Sequence, residues 1–210
     1  LRSIKDLGFT TPFPIQAQAI PELLQGNDVI GQAHTGTGKT ATFGIPMLQN
    51  IIHGGGIQGL VIAPTRELAM QITEEIKKIG KYTKIKVVTV YGGQGIGIQL
   101  DALRRKPEIV VATPGRLMDM IRRKFLKINE VNYVVLDEAD EMLNMGFKED
   151  IDAILDSAPV TKSVWLFSAT MPKEVARIAK NYMTDPLEVS IGHKNQSNEN
   201  IEHIYSVVKE

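Results

Sequence analysis

The residues best suited to chemistry form one short stretch, Ala33-His34-Thr35-Gly36-Thr37-Gly38-Lys39-Thr40, between a run of strand type and a helical pattern. Glycines in such a turn let the main chain curl so that successive N–H groups point inward, a nest suited to a chain of phosphates. Lys39 supplies a point charge for the β- and γ-phosphates, and the Thr40 hydroxyl is an oxygen ligand suited to Mg²⁺. Loops of this type usually begin with glycine, where this chain has Ala33; the two remaining glycines preserve the curl. A glycine-rich turn of purely structural meaning has no use for Gly-Lys-Thr at a strand-to-helix junction. A nucleoside triphosphate is therefore the expected ligand, held by Thr35, Gly36, Thr37, Gly38, Lys39 and Thr40.

Such a loop needs a carboxylate partner at the end of another buried strand. Val134-Val135-Leu136-Asp137-Glu138-Ala139-Asp140 supplies it. Asp137 is the first carboxylate beyond the apolar run and is expected to hold Mg²⁺ through its water shell. Glu138 is expected to orient and deprotonate the attacking water, an effect worth roughly 10²–10⁴ in rate. Taken alone, the cluster also reads as solvated acids at a helix start, where the helix dipole favours them. Paired with the phosphate loop, it reads as hydrolysis of the β–γ bond. The chain has no Asn-Lys-x-Asp segment of the kind that selects guanine, so adenine is the expected base.

These residues need a scaffold, and the hydrophobic pattern indicates which. Strands are expected over Asp28 to Gln32, Leu60 to Ala63, Lys86 to Tyr91, Ile109 to Ala112, Val131 to Leu136, Ser163 to Ser168 and Leu187 to Ile191. Helical patterns lie near Lys39 to Ile52, Arg66 to Ile79, Gly97 to Arg105, Gly115 to Arg123, Lys148 to Asp156 and Pro172 to Tyr182. Continuously apolar strands such as Leu60-Val61-Ile62-Ala63 imply burial on both faces, as in a parallel sheet covered by helices. The expected fold class is a three-layer α/β domain with a mainly parallel sheet of about seven strands. Trp165 and Phe167 alternate along one expected strand and are read as core.

Composition excludes several other classes. The 210 residues contain 43% hydrophobic and 23% charged residues, ordinary for a globular domain, and no cysteine, which removes disulfides and thiolate metal sites. Lys plus Arg equals Asp plus Glu at 24 each, so there is no overall basic coat. Locally, eight cations oppose three carboxylates between Asp101 and Lys127, which reads either as solvated helix faces or as an anion-binding surface. No apolar run approaches the roughly 20 residues that span a bilayer, so no membrane partner is expected. The N-terminus has neither a signal peptide nor a start methionine, and polar residues 192–200 read as a linker before a strand-like 201–208. The expected organisation is one domain over 1–191, then a linker and the start of a second domain over 192–210 of a longer chain.

The ordered set of motifs resembles the N-terminal RecA-like domain of the DEAD-box ATP-dependent RNA helicases. Gly8-Phe9-Thr10-Thr11-Pro12-Phe13-Pro14-Ile15-Gln16 is similar to the family's Q motif, Pro64-Thr65-Arg66-Glu67-Leu68-Ala69 to motif Ia, Gly92-Gly93 to the GG element and Thr113-Pro114-Gly115-Arg116 to motif Ib. Asp137-Glu138-Ala139-Asp140 is similar to the name-giving tetrad and Ser168-Ala169-Thr170 to motif III. The resemblance implies that Gln16 reads the adenine edge of ATP. It also implies that Pro64, Thr65, Arg66, Gly92, Gly93, Thr113, Pro114, Gly115 and Arg116 contact the RNA sugar-phosphate backbone, independently of sequence. Arg66 and Arg116 can each fork onto a phosphate, and motif Ib lies inside the cation-rich stretch. Ser168 and Thr170 are expected to hydrogen-bond the Asp140 carboxylate, coupling hydrolysis to movement. The family further implies cytoplasmic location and a second RecA-like domain whose arginines reach the γ-phosphate. This chain alone is then expected to turn over little ATP. A binding module, a nucleotide-gated RNA clamp, is the competing class, and Glu138 discriminates because a clamp needs no water-activating carboxylate.

Overall fold

The computed structural model describes residues 2–34 and 36–191. The expected linker and second-domain start over 192–210 lie outside the described residues, as does Thr35. The described elements are α1 (Arg2–Asp6), α2 (Pro14–Gln25), β1 (Val29–Gln32), α3 (Lys39–Asn50), β2 (Gly59–Ile62), α4 (Arg66–Ile79), β3 (Val87–Val90) and α5 (Ile96–Arg104). Then follow β4 (Ile109–Ala112), α6 (Pro114–Arg122), β5 (Tyr133–Asp137), α7 (Ala139–Asn144), α8 (Lys148–Ser157), β6 (Ser163–Ser168), α9 (Lys173–Tyr182) and β7 (Leu187–Ser190).

The strands form a seven-stranded sheet in the order β3-β4-β2-β5-β6-β1-β7. Every pairing is parallel. Alternate residues of the interior strands supply two separate cores. Val61, Val135, Trp165 and Phe167 face Ile15, Leu23, Phe43, Met47, Ile72 and Ile76 of α2, α3 and α4. Leu60, Ile62, Val134 and Leu166 face Leu117, Met142, Ile151 and Val175 of α6, α7, α8 and α9.

The chain order of the strands explains how distant motifs meet. After β1, the chain passes over two sheet positions to reach β2, and β5 and β6 later fill the gap beside β1. In register, Gln32 lies opposite Ser168 and Asp137 opposite Phe167. The phosphate loop, the acidic tetrad and motif III therefore emerge side by side at the carboxyl ends of adjacent strands, where open α/β sheets hold ligands.

Three helices have no counterpart in the sequence pattern. α2 is the important one: its Ile15, Ala19 and Leu23 recur every four residues and are buried, but Pro14 and Pro21 mask the signal. Pro14 occupies the first turn, where its missing N–H is not needed. α1 and α7 are only five and six residues long, too short for a period to show.

Candidate functional site

Lys39 opens α3, and Gly38 caps that helix in the left-handed conformation, φ 81°. The lysine is 6% exposed, and its Nζ lies 3.6 Å from Asp137 Oδ1. Asp137, the last residue of β5, is 3% exposed. Burial pushes its carboxyl up to about 6, with Lys39 pulling the other way and Glu138 adding to the rise. Glu138 turns the strand directly into α7 by adopting φ 54°, a left-handed conformation that a side-chain-bearing residue seldom holds. Its N–H donates to Asp137 Oδ1 at 3.1 Å. The strained turn presents both carboxylates at one mouth.

That mouth opens on a cavity of about 360 Å³, lined by Gly36, Gly38, Lys39, Thr40, Asp137 and Glu138, with Phe9, Phe13 and Glu75 among the other walls. The volume is within the range of small-ligand sites. Phosphate chemistry fits the floor, because the helix N-terminus of α3 and the Lys39 ammonium both favour anions. Among the described residues, no group of three or more His, Cys, Asp or Glu side chains could hold a metal unaided. The donor set, one hydroxyl and one buried carboxylate, instead suits a hard cation that keeps waters and shares phosphate oxygens, as Mg²⁺ does.

Gln16 is placed differently from a free base-reading group. It is 4% exposed; its Oε1 accepts from Phe13 N–H at 2.9 Å, and its Nε2 donates to the Gly38 carbonyl at 3.2 Å. The amide thus ties α2 to the phosphate loop. A Cβ on Gly38 would come within 2.5 Å of Gln16 Nε2, so glycine is needed there for close approach as well as for its φ. The aromatic walls Phe9 and Phe13 were legible only as part of the Q-like segment; the turn before α2 aims them at the cavity.

Asp140 joins the acidic tetrad to motif III. Its Oδ2 accepts from Thr170 N–H at 2.9 Å and from Thr170 Oγ1 at 2.7 Å. Ser168 makes a different bond: its Oγ accepts from the Asp140 main-chain N–H at 3.2 Å. Burial opposes ionisation of Asp140, but the Thr170 hydroxyl, the nearby Ser168 side chain and main-chain N–H groups outweigh it and hold the carboxyl below its ordinary value.

The remaining motif residues also lie at the carboxyl edge, beyond β2, β3 and β4. Pro64 is buried, and Thr65 caps α4 by accepting from Leu68 N–H at 3.2 Å. Arg66 lies over the Tyr91 ring at 5.0 Å. Gly92 and Gly93 are exposed with open space around them. Thr113 precedes α6, Pro114 starts it, Gly115 is exposed, and both Arg116 Nη atoms donate to the Gln94 carbonyl at 3.1 and 3.2 Å. Sequence reasoning missed Gln99, a buried amide that bonds Tyr91 N–H at 3.1 Å and Tyr91 C=O at 2.9 Å and so pins the glycine loop.

The cation-rich stretch divides between the two edges of the sheet. Helices return from the carboxyl to the amino edge of the sheet, so the ends of α5 and α6 carry its other cations away from the cavity. Of the eight, Arg116 alone stands with the motifs.

Residues 13–178 match the DEAD/DEAH box helicase family. The chain belongs to that family. The DEAD-box ATP-dependent RNA helicase CshA of Bacillus cereus is 52% identical over 211 aligned residues, covering all of this chain and 40% of that protein. The protein of the same name from Bacillus subtilis is also 52% identical, with 43% of its length covered. A crystal structure of a DEAD box protein from the hyperthermophile Methanococcus jannaschii superposes with a TM-score of 0.87 at 43% identity, covering 90% of this chain and 52% of that one. That of a hypothetical ATP-dependent RNA helicase from Sulfolobus tokodaii gives 0.84 at 39% identity, covering 90% and 56%. The fold of this DEAD-box chain is thus the RecA-like fold, and the chain spans less than half the length of these curated relatives.

Proposed function

We propose that the chain is the ATP-binding and RNA-backbone-binding part of an ATP-dependent RNA helicase, one that separates or remodels short RNA duplexes. The observation that carries this reading is the buried Lys39–Asp137 pair, 3.6 Å apart, with Glu138 beside it on one cavity. Main-chain N–H groups of the loop and the Lys39 ammonium bind the β- and γ-phosphates. Thr40 and Asp137 hold Mg²⁺, which supplies neutralisation of phosphate charge when bound. Glu138 orients a water and accepts its proton as the water attacks the γ-phosphorus. Gln16 keeps the loop in register with α2 and has one N–H and one lone pair left for adenine. Neither its amide nor the aromatic walls are needed to cut the phosphate bond, so they select the base.

RNA lies across Pro64, Thr65, Arg66, Gly92, Gly93, Thr113, Pro114, Gly115 and Arg116. Small residues there let sugar-phosphate oxygens come close, and the two arginines give up their intramolecular partners, the Tyr91 ring and the Gln94 carbonyl, for phosphates. The Thr170–Asp140 bonds couple hydrolysis to closure of a second RecA-like domain, which supplies the arginines this site lacks. In this reading 1–191 is one domain, 192–210 leads to the next, the chain alone turns over little ATP, and the protein works in the cytoplasm.

The test is Glu138→Gln in the full-length protein, followed by phosphate release and binding titrations. Turnover is expected to fall roughly 10²–10⁴-fold with ATP and RNA binding kept. Undiminished turnover sinks the hydrolase reading and leaves the nucleotide-gated clamp.

A further inference from the structure

A second cationic surface lies at the edge of the sheet opposite the cavity. α5 runs out through Arg104-Arg105-Lys106 and α6 through Arg122-Arg123-Lys124, the same three residues at the same place in two helices. Both helices pack on one face, since Ile96 and Leu103 join the same core as Leu117, Met118 and Met120. α5 starts beyond β3 and α6 beyond the adjacent β4, so the two triplets end at the same edge of the sheet, on one face, and all six side chains are exposed. Arg104 pairs with Asp101 and Arg123 with Asp119, each at 2.6 Å. Among the described residues, the other four have no carboxylate partner.

A backbone observation points the same way. Lys106 has φ 51° and Lys124 φ 60°, the left-handed conformation just past a helix end that favours glycine. Elsewhere this chain puts glycine there: Gly26 after α2 at φ 81° and Gly146 after α7 at φ 85°. The helix dipole accounts for cations in the last turn of α5 and α6. It does not account for a long cationic side chain at the strained position beyond them, twice. Strain kept where glycine would relieve it marks a side chain with something to do.

We propose that the paired Arg-Arg-Lys helix ends form a second contact for the nucleic-acid sugar-phosphate backbone, gripping RNA that extends past the motif surface. Arginine and lysine side chains are long and flexible, so cations from both helix ends reach phosphates along one strand. The nine residues of α5 separate this contact from the motif edge by about 14 Å, a span of a few nucleotides. Phe125, exposed directly after Lys124, offers a face for an unpaired base. A protein-docking surface would need an apolar centre, and here a single aromatic stands among cations. The inference takes its ligand class from the proposed function and adds a surface that reading does not use.

The experiment compares the unmodified protein with Arg105→Gln/Lys106→Gly/Arg122→Gln/Lys124→Gly. Fluorescence anisotropy follows a short RNA strand that fits the motif surface alone and a longer strand that extends beyond it, over a range of salt. The longer strand should bind about tenfold more weakly to the variant, with a salt slope shallower by about 1.4 for two lost phosphate contacts. The short strand should bind as before. Glycine at both left-handed positions should leave the melting temperature equal or higher, whereas a capping role would lower it. Unchanged binding of the longer strand overturns the proposal, and if Arg116→Ala still weakens both strands the proposed function survives. If neither variant affects RNA, the RNA reading itself fails. Loss of polyglutamate binding with RNA binding intact makes this a surface for acidic protein and also overturns the proposal.

Discussion

Glu108 and Asp28 stand where strands begin; Asp137, Glu138 and Asp140 stand where they end. Glu108 is buried, and its two oxygens accept from Gly54 N–H at 2.8 Å and Lys86 N–H at 2.7 Å, with His53 Nδ1 2.9 Å from Oε1. Asp28 accepts from Val164 N–H at 2.7 Å and Thr184 N–H at 2.6 Å. Each fastens loops that would otherwise leave buried donors unmet. At the other end, Asp137 has one lysine, one N–H and a cavity, and burial raises its carboxyl. Asp140 is intermediate, given over to Thr170. The same residue type thus serves structure where main-chain donors satisfy it, and chemistry where they do not. Changes to the amino-edge carboxylates should therefore reach stability first, and changes to the carboxyl-edge ones function first.

The largest expected effect on stability is at Glu108. Glu108→Gln turns an amide NH₂ toward a main-chain donor and should cost about 2–4 kcal/mol in urea unfolding, while turnover per folded molecule stays the same. Burial works against ionisation of Glu108, but the bonds from Gly54 and Lys86 and the charge of His53 hold its carboxyl below the ordinary 4.5. A lowered carboxyl adds stability above its ordinary value and loses it as pH falls through the folded value. The penalty of the substitution should accordingly shrink as urea titrations are taken below pH 4.5. A loss of turnover without a loss of stability would break the comparison.

Gly38→Ala comes next and sharpens it from the other side. The new methyl meets Gln16 Nε2 at 2.5 Å and Phe13 Cδ2 at 2.9 Å, at φ 81°. A penalty of about 1–2 kcal/mol follows from the left-handed backbone alone. Nucleotide affinity, read with a fluorescent analogue, should fall by more than the melting temperature implies. Thr170→Val is the smallest. It removes one hydroxyl bond to Asp140, about 1 kcal/mol, and keeps the main-chain bond. Unwinding should decline while phosphate release is largely retained; equal losses in both would mean that Asp140 belongs to the hydrolysis site and not to its coupling.

The phosphate loop, Asp137 and Glu138 were legible because their chemistry is local: glycine freedom, a lysine and a carboxylate just past an apolar run are properties of a few adjacent residues. The parallel sheet was legible for a similar reason, since burial on both faces leaves strands continuously apolar. α2 was not, because two prolines and three glutamines hide a stripe of only three buried apolar residues. Nor was the double grip of Gln99 on Tyr91, because nothing in the local sequence says which backbone a buried amide will meet.

The sequence by itself determined which groups could bind phosphate, hold a cation and activate water, since those capacities belong to side-chain types and short spacings. Tertiary structure alone decided which of them share a cavity and which cations face away from it. Strand order put Gln32 beside Ser168 across 136 positions of chain, and helix direction sent both Arg-Arg-Lys ends to the far edge. Proximity between distant segments is set by how a sheet is wound, and composition along the chain carries no record of that winding.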